Sequence, residues 1–309
     1  MDFSTLPGSI QGAAMQALLW SIMSLGVYIT FKILNFADMT VDGTFATGGA
    51  VTAVLITNGF NPYLSLLVAI AAGMVCGLIT GILHTKLEIP AILAGILTMI
   101  ALYSINIRIM GDKSNIPLIG AQTIISLISS VAPALTTNII TMMIGLIFAG
   151  GIIALLYWYF GTEIGSAIRA TGNNEYMVRA LGVNTDNTKI LGLVLSNGLI
   201  ALSGAMVAQS QGYGDVGMGT GTIMIGLASI IIGEVLMGSR FSFAYKLLSV
   251  VVGSIVYRVI IAFVLWLGLK STDLKLFTSI VVILALSVPV LKRKLQKVQN
   301  TPESEEQSE

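Results

Sequence analysis

Charged and amide side chains that interrupt long apolar stretches are the residues of this sequence best placed to do chemistry. Asp38 and Asp42 lie four residues apart near the end of the first apolar stretch, shortly after Asn35. On a helix this spacing puts both carboxylates on one face, where they repel each other unless solvated or paired. A carboxylate in hydrocarbon costs about 2.5–3.5 kcal/mol on insertion scales. These residues therefore either mark the end of a membrane span, close to Lys32, or form a gate or helix break in a translocation path.

Two further charges lie in later apolar stretches. Glu234 can pair with Arg240, just beyond its stretch, or with the region of Asp38 and Asp42. Arg258 has eleven uncharged residues on each side, so its guanidinium cannot easily reach water by snorkelling. We expect it to face protein or an aqueous cavity, and Glu234 and Arg258 are both candidates for the translocation path.

A glycine-rich segment, residues 210–221, contains five glycines and Asp215, and Gln209 directly precedes it. So many glycines disfavour a regular helix. Irregular backbone at membrane depth is tolerated only where it is buried in protein or lines a cavity. The segment is either an external loop or a re-entrant turn, with Gln209 and Asp215 near the path.

One long polar segment, residues 161–189, carries six charged residues, three of each sign. Apolar positions recur at helical spacing before and after the break at 172–174, which predicts two short helices joined by a turn. The segment is either a solvated connector or a knob on the cytoplasmic face. As a knob it would dock to a partner, with Ile168 or Met177 entering a groove and the charges setting the register.

The composition indicates that these residues lie in a membrane protein. Of 309 residues 55% are apolar and only 10% charged, against about 45–50% and 25% in soluble domains. This excludes a disordered chain, a coiled coil, a nucleic-acid binder and almost any soluble enzyme, and it predicts an all-α polytopic membrane protein. The single cysteine, Cys76, excludes an internal disulfide, and one cysteine with one histidine argues against a metal centre.

A spanning helix needs roughly 20 mostly apolar residues. The charge-free stretches, divided at Gly, Pro and Asn, give about nine spans, with eight to ten as the range. They are 11–34, 43–58, 62–83, 90–110, 138–160, 189–209, 222–238, 243–268 and 274–291. Segment 118–134 carries several serines and a proline, which favours an external or re-entrant helix.

A repeated pattern of helices and the distribution of Lys and Arg among the loops predict the membrane topology. A long helix, a broken small-residue stretch and a short helix occur in both halves, with Thr44–Gly49 as the counterpart of 210–221, which predicts an inverted repeat. With the C-terminus inside, the cytoplasmic loops hold eleven Lys and Arg residues and the external loops four, so we expect the N-terminus outside. Residues 1–291 form the predicted transmembrane domain, and 292–309 a charged cytoplasmic tail.

The polar segment also carries the most specific resemblance. The elements Gly165-x-Ala167-x-Arg169-Ala170, Gly172-x-Asn174 and Ala180-x-Gly182-Val183 resemble the coupling loop of ABC importer permeases. The subfamily that this sequence resembles transports branched-chain amino acids, and a more distant resemblance is to permeases for ribose-type sugars. Residues 33–53 and 222–239 resemble the same family. Glu234 stands where the family often has a second glycine, as in permeases paired with aromatic-amino-acid-type (tryptophan or tyrosine) binding proteins.

This resemblance implies the fold of a type II ABC importer permease in the bacterial cell membrane. Its partners would be a cytoplasmic ATPase, an external or periplasmic binding protein and a second permease copy that completes a dimeric pathway. The ATPase-coupling candidates are Glu163, Gly165, Ala167, Arg169, Ala170, Gly172, Asn174, Arg179 and Gly182. The candidates for the path or gate are Asn35, Asp38, Asp42, Gln209, Asp215, Glu234 and Arg258.

The sequence contains no Gly-x-x-x-x-Gly-Lys-[Ser/Thr] phosphate loop. We therefore expect ATP to be bound and hydrolysed by the separate subunit, and this chain to be a transport subunit without a cofactor or enzymatic activity. The expected cargo is a small polar solute, foremost an aromatic or branched-chain amino acid. A sugar or nucleoside importer and an ion-coupled secondary transporter are the alternatives.

Overall fold

The computed structural model describes residues 6–131, 133, 136–238, 242–267, 273, 276–284 and 287. The α-helices are α1 (Leu6–Tyr28), α2 (Val41–Thr57), α3 (Pro62–Thr85), α4 (Ala91–Ile109), α5 (Ile124–Val131), α6 (Thr137–Tyr159), α7 (Glu163–Asn173), α8 (Glu175–Ala180), α9 (Thr185–Gln211), α10 (Thr222–Met237) and α11 (Phe243–Trp266). Two strands, β1 (Asn115–Pro117) and β2 (Tyr213–Asp215), pair antiparallel.

Among the described residues, seven helical stretches are long and apolar enough to cross a membrane, and α2 is a shorter apolar helix. These eight elements coincide with the first eight predicted spans. The ninth predicted span, 274–291, lies partly outside the described residues, although 276–284 are helical. The predicted tail, 292–309, also lies outside them. The prediction of an all-α polytopic membrane protein is therefore confirmed.

The first long helix ends in a break. After α1, Ile29–Ile33 form one π-helical turn, and the backbone is irregular until α2 begins. Asn35 adopts a left-handed conformation with φ 53°, which asparagine tolerates better than most residues. This turn lets the chain leave α1 and enter the short helix α2 inside the bundle.

A second break follows the second long helix, α9. The glycine-rich segment after α9 runs along α2, because Gly214 lies against Ala53 and Gly219 lies against the backbone of Asp42. A side chain at Gly219 would overlap the Asp42 carbonyl, so glycine permits the close approach. The segment is thus a re-entrant turn that ends where α10 begins. The proposed counterpart, Thr44–Gly49, was wrong, since these residues lie inside α2 and the equivalent break precedes it.

The chain has two halves, which begin with the long helices α1 and α9. The halves are inverted relative to each other, and the first helix of each packs on the other half. α1 and α9 run antiparallel: the Ser203 hydroxyl donates to the Leu19 carbonyl, and the Ser196 hydroxyl donates to the Gly26 carbonyl. α9 packs on α2 and α3 of the first half, whereas α1 packs on α10 and α11 of the second. Unfolding of one half would therefore remove helices on which the other half packs.

Paired glycines permit a close contact between α2 and α9. Gly48 of α2 lies on the Ala201 carbonyl of α9, while Gly204 of α9 lies on the Phe45 carbonyl of α2. A Cβ at either position would overlap the opposing backbone. Small residues on facing helices let backbones approach in membranes, where packing rather than the hydrophobic effect drives association.

The segment predicted to be external or re-entrant, 118–134, does not cross the bundle. Its helix, α5, has eight residues and is therefore only about 12 Å long. It begins beside the end of α9, because the Gln209 side chain accepts a hydrogen bond from the Ile124 N–H at 3.0 Å. The β1–β2 pair joins the same end of the molecule to the re-entrant turn.

Candidate coupling loop and translocation core

The polar segment folds as two short capped helices, as its pattern predicts. The Thr162 hydroxyl accepts a hydrogen bond from the Gly165 N–H at the start of α7, and the Asn174 side chain accepts one from the Met177 N–H at the start of α8. Asn174 also terminates α7, so a single residue makes the turn between the helices. Side-chain capping of this kind satisfies N–H groups that the first helical turn leaves unpaired.

α7 is seated on the membrane domain by its apolar face. Ile168 is fully buried, and the Thr171 and Thr188 hydroxyls lie 2.9 Å apart. Gly165 packs on the end of α6, and Gly172 packs on the backbone at Ile33. Of the two residues expected to enter a partner's groove, Ile168 is excluded, because the apolar face of this helix is used within the chain, whereas Met177 is exposed.

Other candidate coupling residues lie on the same two helices. Glu163 stands in the first turn of α7, where a carboxylate complements the helix dipole. Ala167 and Ala170 are half-buried along α7. The Arg169 guanidinium lies 5.0 Å from the centre of the Phe243 ring at the start of α11. Arg169 is thus exposed but contacts the membrane domain through this ring.

α8 is fastened by a charge network to the start of α9. Glu175 pairs with Arg179 at 3.0 Å and with Lys189 at 2.7 Å. Arg179 also pairs with Asp186 at 3.2 Å and donates to the Thr185 hydroxyl at 2.6 Å. Burial alone would raise the pKa of Glu175, but the Lys189 bond and charge, with Thr185 and Arg179, hold its pKa below the ordinary value. The network keeps the carboxylate ionised.

The exposed side of the loop is apolar. Tyr176 is 86% exposed and Leu181 74% exposed, and Met177 and Ile164 are also open to solvent. Gly182 follows with φ 84°, a left-handed conformation that glycine adopts without strain. The sequence did not single out Tyr176 as a contact residue, because it lies outside the helical apolar pattern to which Met177 belongs. An exposed apolar group rimmed by charges is typical of a protein–protein contact.

At the centre of the bundle Asp38 and Asp42 have separate partners. Asp38 is only 2% exposed. It accepts a hydrogen bond from the Asn197 side-chain amide of α9 at 2.8 Å and one from the Thr40 N–H at 2.9 Å. It precedes α2 instead of sharing a helical face with Asp42, so the expected repulsion between the two carboxylates on one face does not arise.

Asp42 lies in the first turn of α2 but caps the helix of the other half. Its carboxylate accepts hydrogen bonds from the Gly221 N–H and Thr222 hydroxyl at 2.8 Å and from the Ile223 N–H at 3.0 Å. These donors form the N-terminus of α10, where the helix dipole favours an anion. The two breaks are therefore joined by a carboxylate inside the bundle.

Glu234 near the end of α10 pairs with Lys32 of the π-helical turn at 2.8 Å. The structure thus gives it a different partner from the Asp38 and Asp42 region, and Arg240 lies outside the described residues. Because Gly172 of α7 packs on the same turn, the loop, the end of α1 and the end of α10 form one continuous contact.

The remaining candidates lie apart from this centre. The Arg258 guanidinium stacks on the Trp20 ring at 4.1 Å and donates weakly to the Gln16 side chain at 3.4 Å. Asp215 accepts a hydrogen bond from the Gly217 N–H at 2.7 Å in the re-entrant turn. Asn35 is exposed in the first break, and Gln209 holds the start of α5. The structure does not bring these four side chains together.

Two open cavities flank the start of α10. One, of about 450 Å³, is lined by Asp42, α4 residues that include Tyr103, Ser104 and Asn106, and Thr220. The other, of about 400 Å³, shares Thr220 and extends to residues 278–283. Sequence reasoning missed the α4 residues. Their signal was a short run of polar side chains within an otherwise apolar span.

Inverted halves, a re-entrant segment and a two-helix loop between the halves are features that this chain shares with ABC transporter permeases. A metal-chelate type ABC transporter solved in an inward-facing conformation shares the fold, with a TM-score of 0.52 at 15% identity over 91% of this chain and 85% of that chain. The model of the branched-chain amino acid transport system / permease component family matches residues 9–287, and the chain belongs to that family.

Two relatives match over nearly their whole lengths. A tyrosine transport system permease protein of Clostridioides difficile (strain R20291) is 45% identical over 91% of this chain and 92% of the relative. An uncharacterized protein of Rickettsia prowazekii (strain Madrid E) is 32% identical over 88% and 94%. The resemblance stated from the sequence is confirmed, and the chain is a multi-pass permease subunit of an ABC transport system in the bacterial cell membrane.

Proposed function

We propose that this permease imports an aromatic amino acid, with tyrosine as the first candidate. The support is the tyrosine transport permease, which is 45% identical over almost the full length of both chains. In this proposal an external binding protein captures the solute and delivers it to the outer mouth. ATP is bound and hydrolysed by a separate cytoplasmic subunit, and this chain binds no cofactor of its own.

The ATPase docks on the exposed apolar side of the coupling loop, at Tyr176 and Leu181. The observation that carries the proposal is the unbroken contact from this loop to the bundle centre. Gly172 presses on the π-helical turn, Lys32 of that turn holds Glu234, and α10 leads from Glu234 to its N-terminus at Asp42. ATPase closure that moves α7 therefore moves α10 relative to α2.

A second permease copy completes the pathway. Both open cavities have polar groups in their walls, among them Asp42, Ser104 and Thr220. Polar walls at membrane depth are costly against lipid and are expected to face protein or a water-filled cavity. A homodimer that joins these faces would enclose them as one path between the copies.

Reconstituted transport tests the proposal. The permease is placed in liposomes with its ATPase and with the binding protein encoded beside it, and uptake of labelled L-tyrosine is followed with L-leucine and D-ribose as competitors. We expect uptake that requires ATP and binding protein and that resists both competitors. Uptake without ATP, or uptake of ribose in place of tyrosine, would overturn the proposal.

A further inference from the structure

The cavity beside α4 contains a buried acceptor that nothing in the described chain uses. Asn106 is fully buried and lines this cavity. Its amide nitrogen donates to the Gly43 carbonyl at 3.4 Å, whereas its Oδ1 atom has no hydrogen-bond partner among the described residues. Exchanging the two amide atoms would set two acceptors against each other, so the Gly43 carbonyl fixes the oxygen as the free atom. A buried acceptor without a donor is costly to keep.

The other polar groups of this cavity are also able to accept hydrogen bonds. Asp42 contributes a carboxylate, and Ser104 and Thr220 contribute hydroxyls, while none of the described lining residues is Lys, Arg or His. The acceptors of this wall favour a group with several N–H donors and a positive charge. A primary ammonium group has these properties.

The rest of the lining is apolar and aromatic. Tyr103 is 58% exposed at the cavity, and Met99 and Ile100 form the adjoining wall. An aromatic ring can stack on Tyr103 while the polar end of the same molecule reaches Asn106. The volume of about 450 Å³ lies within the roughly 300–1,000 Å³ of small-molecule sites.

We propose that this cavity is a weak substrate subsite, in which Asn106 Oδ1 accepts a hydrogen bond from the α-ammonium group of the transported amino acid. The inference rests on the proposed function, because it takes the cargo to be an amino acid. It assigns a specificity-determining role to Asn106 and a stacking surface to Tyr103.

Cysteine labelling tests the subsite without transport. Ser104→Cys is introduced into a Cys76→Ala background, and its reaction with a methanethiosulfonate reagent is timed in the purified permease–ATPase complex. L-Tyrosinamide, which keeps the ammonium group, should slow the reaction, whereas 3-(4-hydroxyphenyl)propionate, which lacks it, should not. Adding Asn106→Leu should abolish the protection. Equal protection by both compounds, or protection that survives Asn106→Leu, would overturn the proposal.

Uptake kinetics separate recognition from folding. Asn106→Leu should lower uptake about tenfold, because it removes an acceptor that the substrate pairs with. Asn106→Gln keeps both an acceptor oxygen and an N–H donor and should retain more uptake than Asn106→Leu. Thr52→Val is the matched control, because the Thr52 hydroxyl is also buried without a partner but lines neither cavity beside α10.

The outcomes of the two experiments are distinguishable. If Asn106→Gln is as damaging as Asn106→Leu, the residue acts only through packing and the subsite is refuted. If the wild-type protein imports no tyrosine while ammonium compounds still protect Ser104→Cys, the proposed cargo fails and the ammonium site stands.

Discussion

Asp42 satisfies the N-terminus of a helix 180 residues further along the chain. The first N–H groups of a helix have no partner within it, and water cannot reach them freely inside a membrane bundle. Asp42 supplies the acceptors, and its negative charge complements the helix dipole. Asp38 performs a similar task for the first break, where its two oxygens hold Thr40 and Asn197.

Replacing Asp38 should therefore destabilise the bundle. Asp38→Ala leaves one N–H of the Asn197 amide and the Thr40 N–H without their acceptor in a buried site, which costs about 1–3 kcal/mol for each group. We expect a clearly lower Tm of the detergent-purified protein. Asp215→Ala is the control, because its hydrogen bonds lie at the exposed outer end. Equal Tm values for the two variants would show that Asp38 is not needed for the fold.

At the scale of elements, α7 packs directly on the membrane domain, as the proposed coupling requires. Its contact with the π-helical turn is a backbone contact at Gly172, where an added Cβ would lie 2.8 Å from the Leu34 Cα atom. A side chain at this position must push the two elements apart, because backbone on a packed helix cannot rotate away as a flexible side chain can.

Gly172→Ala should consequently uncouple transport from ATP hydrolysis. We expect the variant to reach the membrane and to retain its ATPase, but with at least about a tenfold loss of uptake, as displacements near 1 Å can cost two orders of magnitude. Gly150→Ala is the matched control, since a Cβ there meets nothing within 4 Å. Uptake is measured in proteoliposomes, and wild-type uptake by Gly172→Ala would rule out this route of transmission.

The charge network of α8 should make the loop sensitive to acid. The ionised Glu175 is stabilised by Lys189 and Arg179, so its folded pKa lies below the ordinary 4.5. Its contribution to stability is complete above about pH 4.5 and is lost as the pH falls through the folded value. The protection factors of the amides in residues 175–189, which are corrected for the slower intrinsic exchange in acid, should therefore fall below about pH 4.5. Glu175→Gln should remove this dependence, and an unchanged pH profile in that variant would exclude Glu175 as its source.

At the scale of the whole molecule, two inverted halves depend on each other. Each long first helix packs on the opposite half, and the Asp42 bond joins the breaks at the centre. The coupling loop lies between the halves in sequence and touches the ends of α1, α6 and α11 in space. Motion applied to this loop therefore reaches both halves at once.

The sequence predicts the spans well because bilayer thickness sets their length and apolar character, as for α3 and α6. It also predicts the two loop helices, whose caps and breaks are local signals. It does not predict which face of α7 is buried, because an apolar face serves a partner or the chain's own domain equally well. The partners of Asp42 and Glu234 were beyond prediction, since each contact joins residues about 200 positions apart.

The most direct test of the account is whether an ATPase co-purifies with the permease through the exposed side of the loop. Tagged wild-type protein is isolated from its native membrane in mild detergent beside Leu181→Glu and Ile119→Glu. Ile119 is the matched control because it is apolar and 91% exposed but lies near the β1–β2 end. We predict that the ATPase accompanies the wild type and Ile119→Glu and is lost from Leu181→Glu. Wild-type protein without an ATPase, or Leu181→Glu that retains it, would contradict the account.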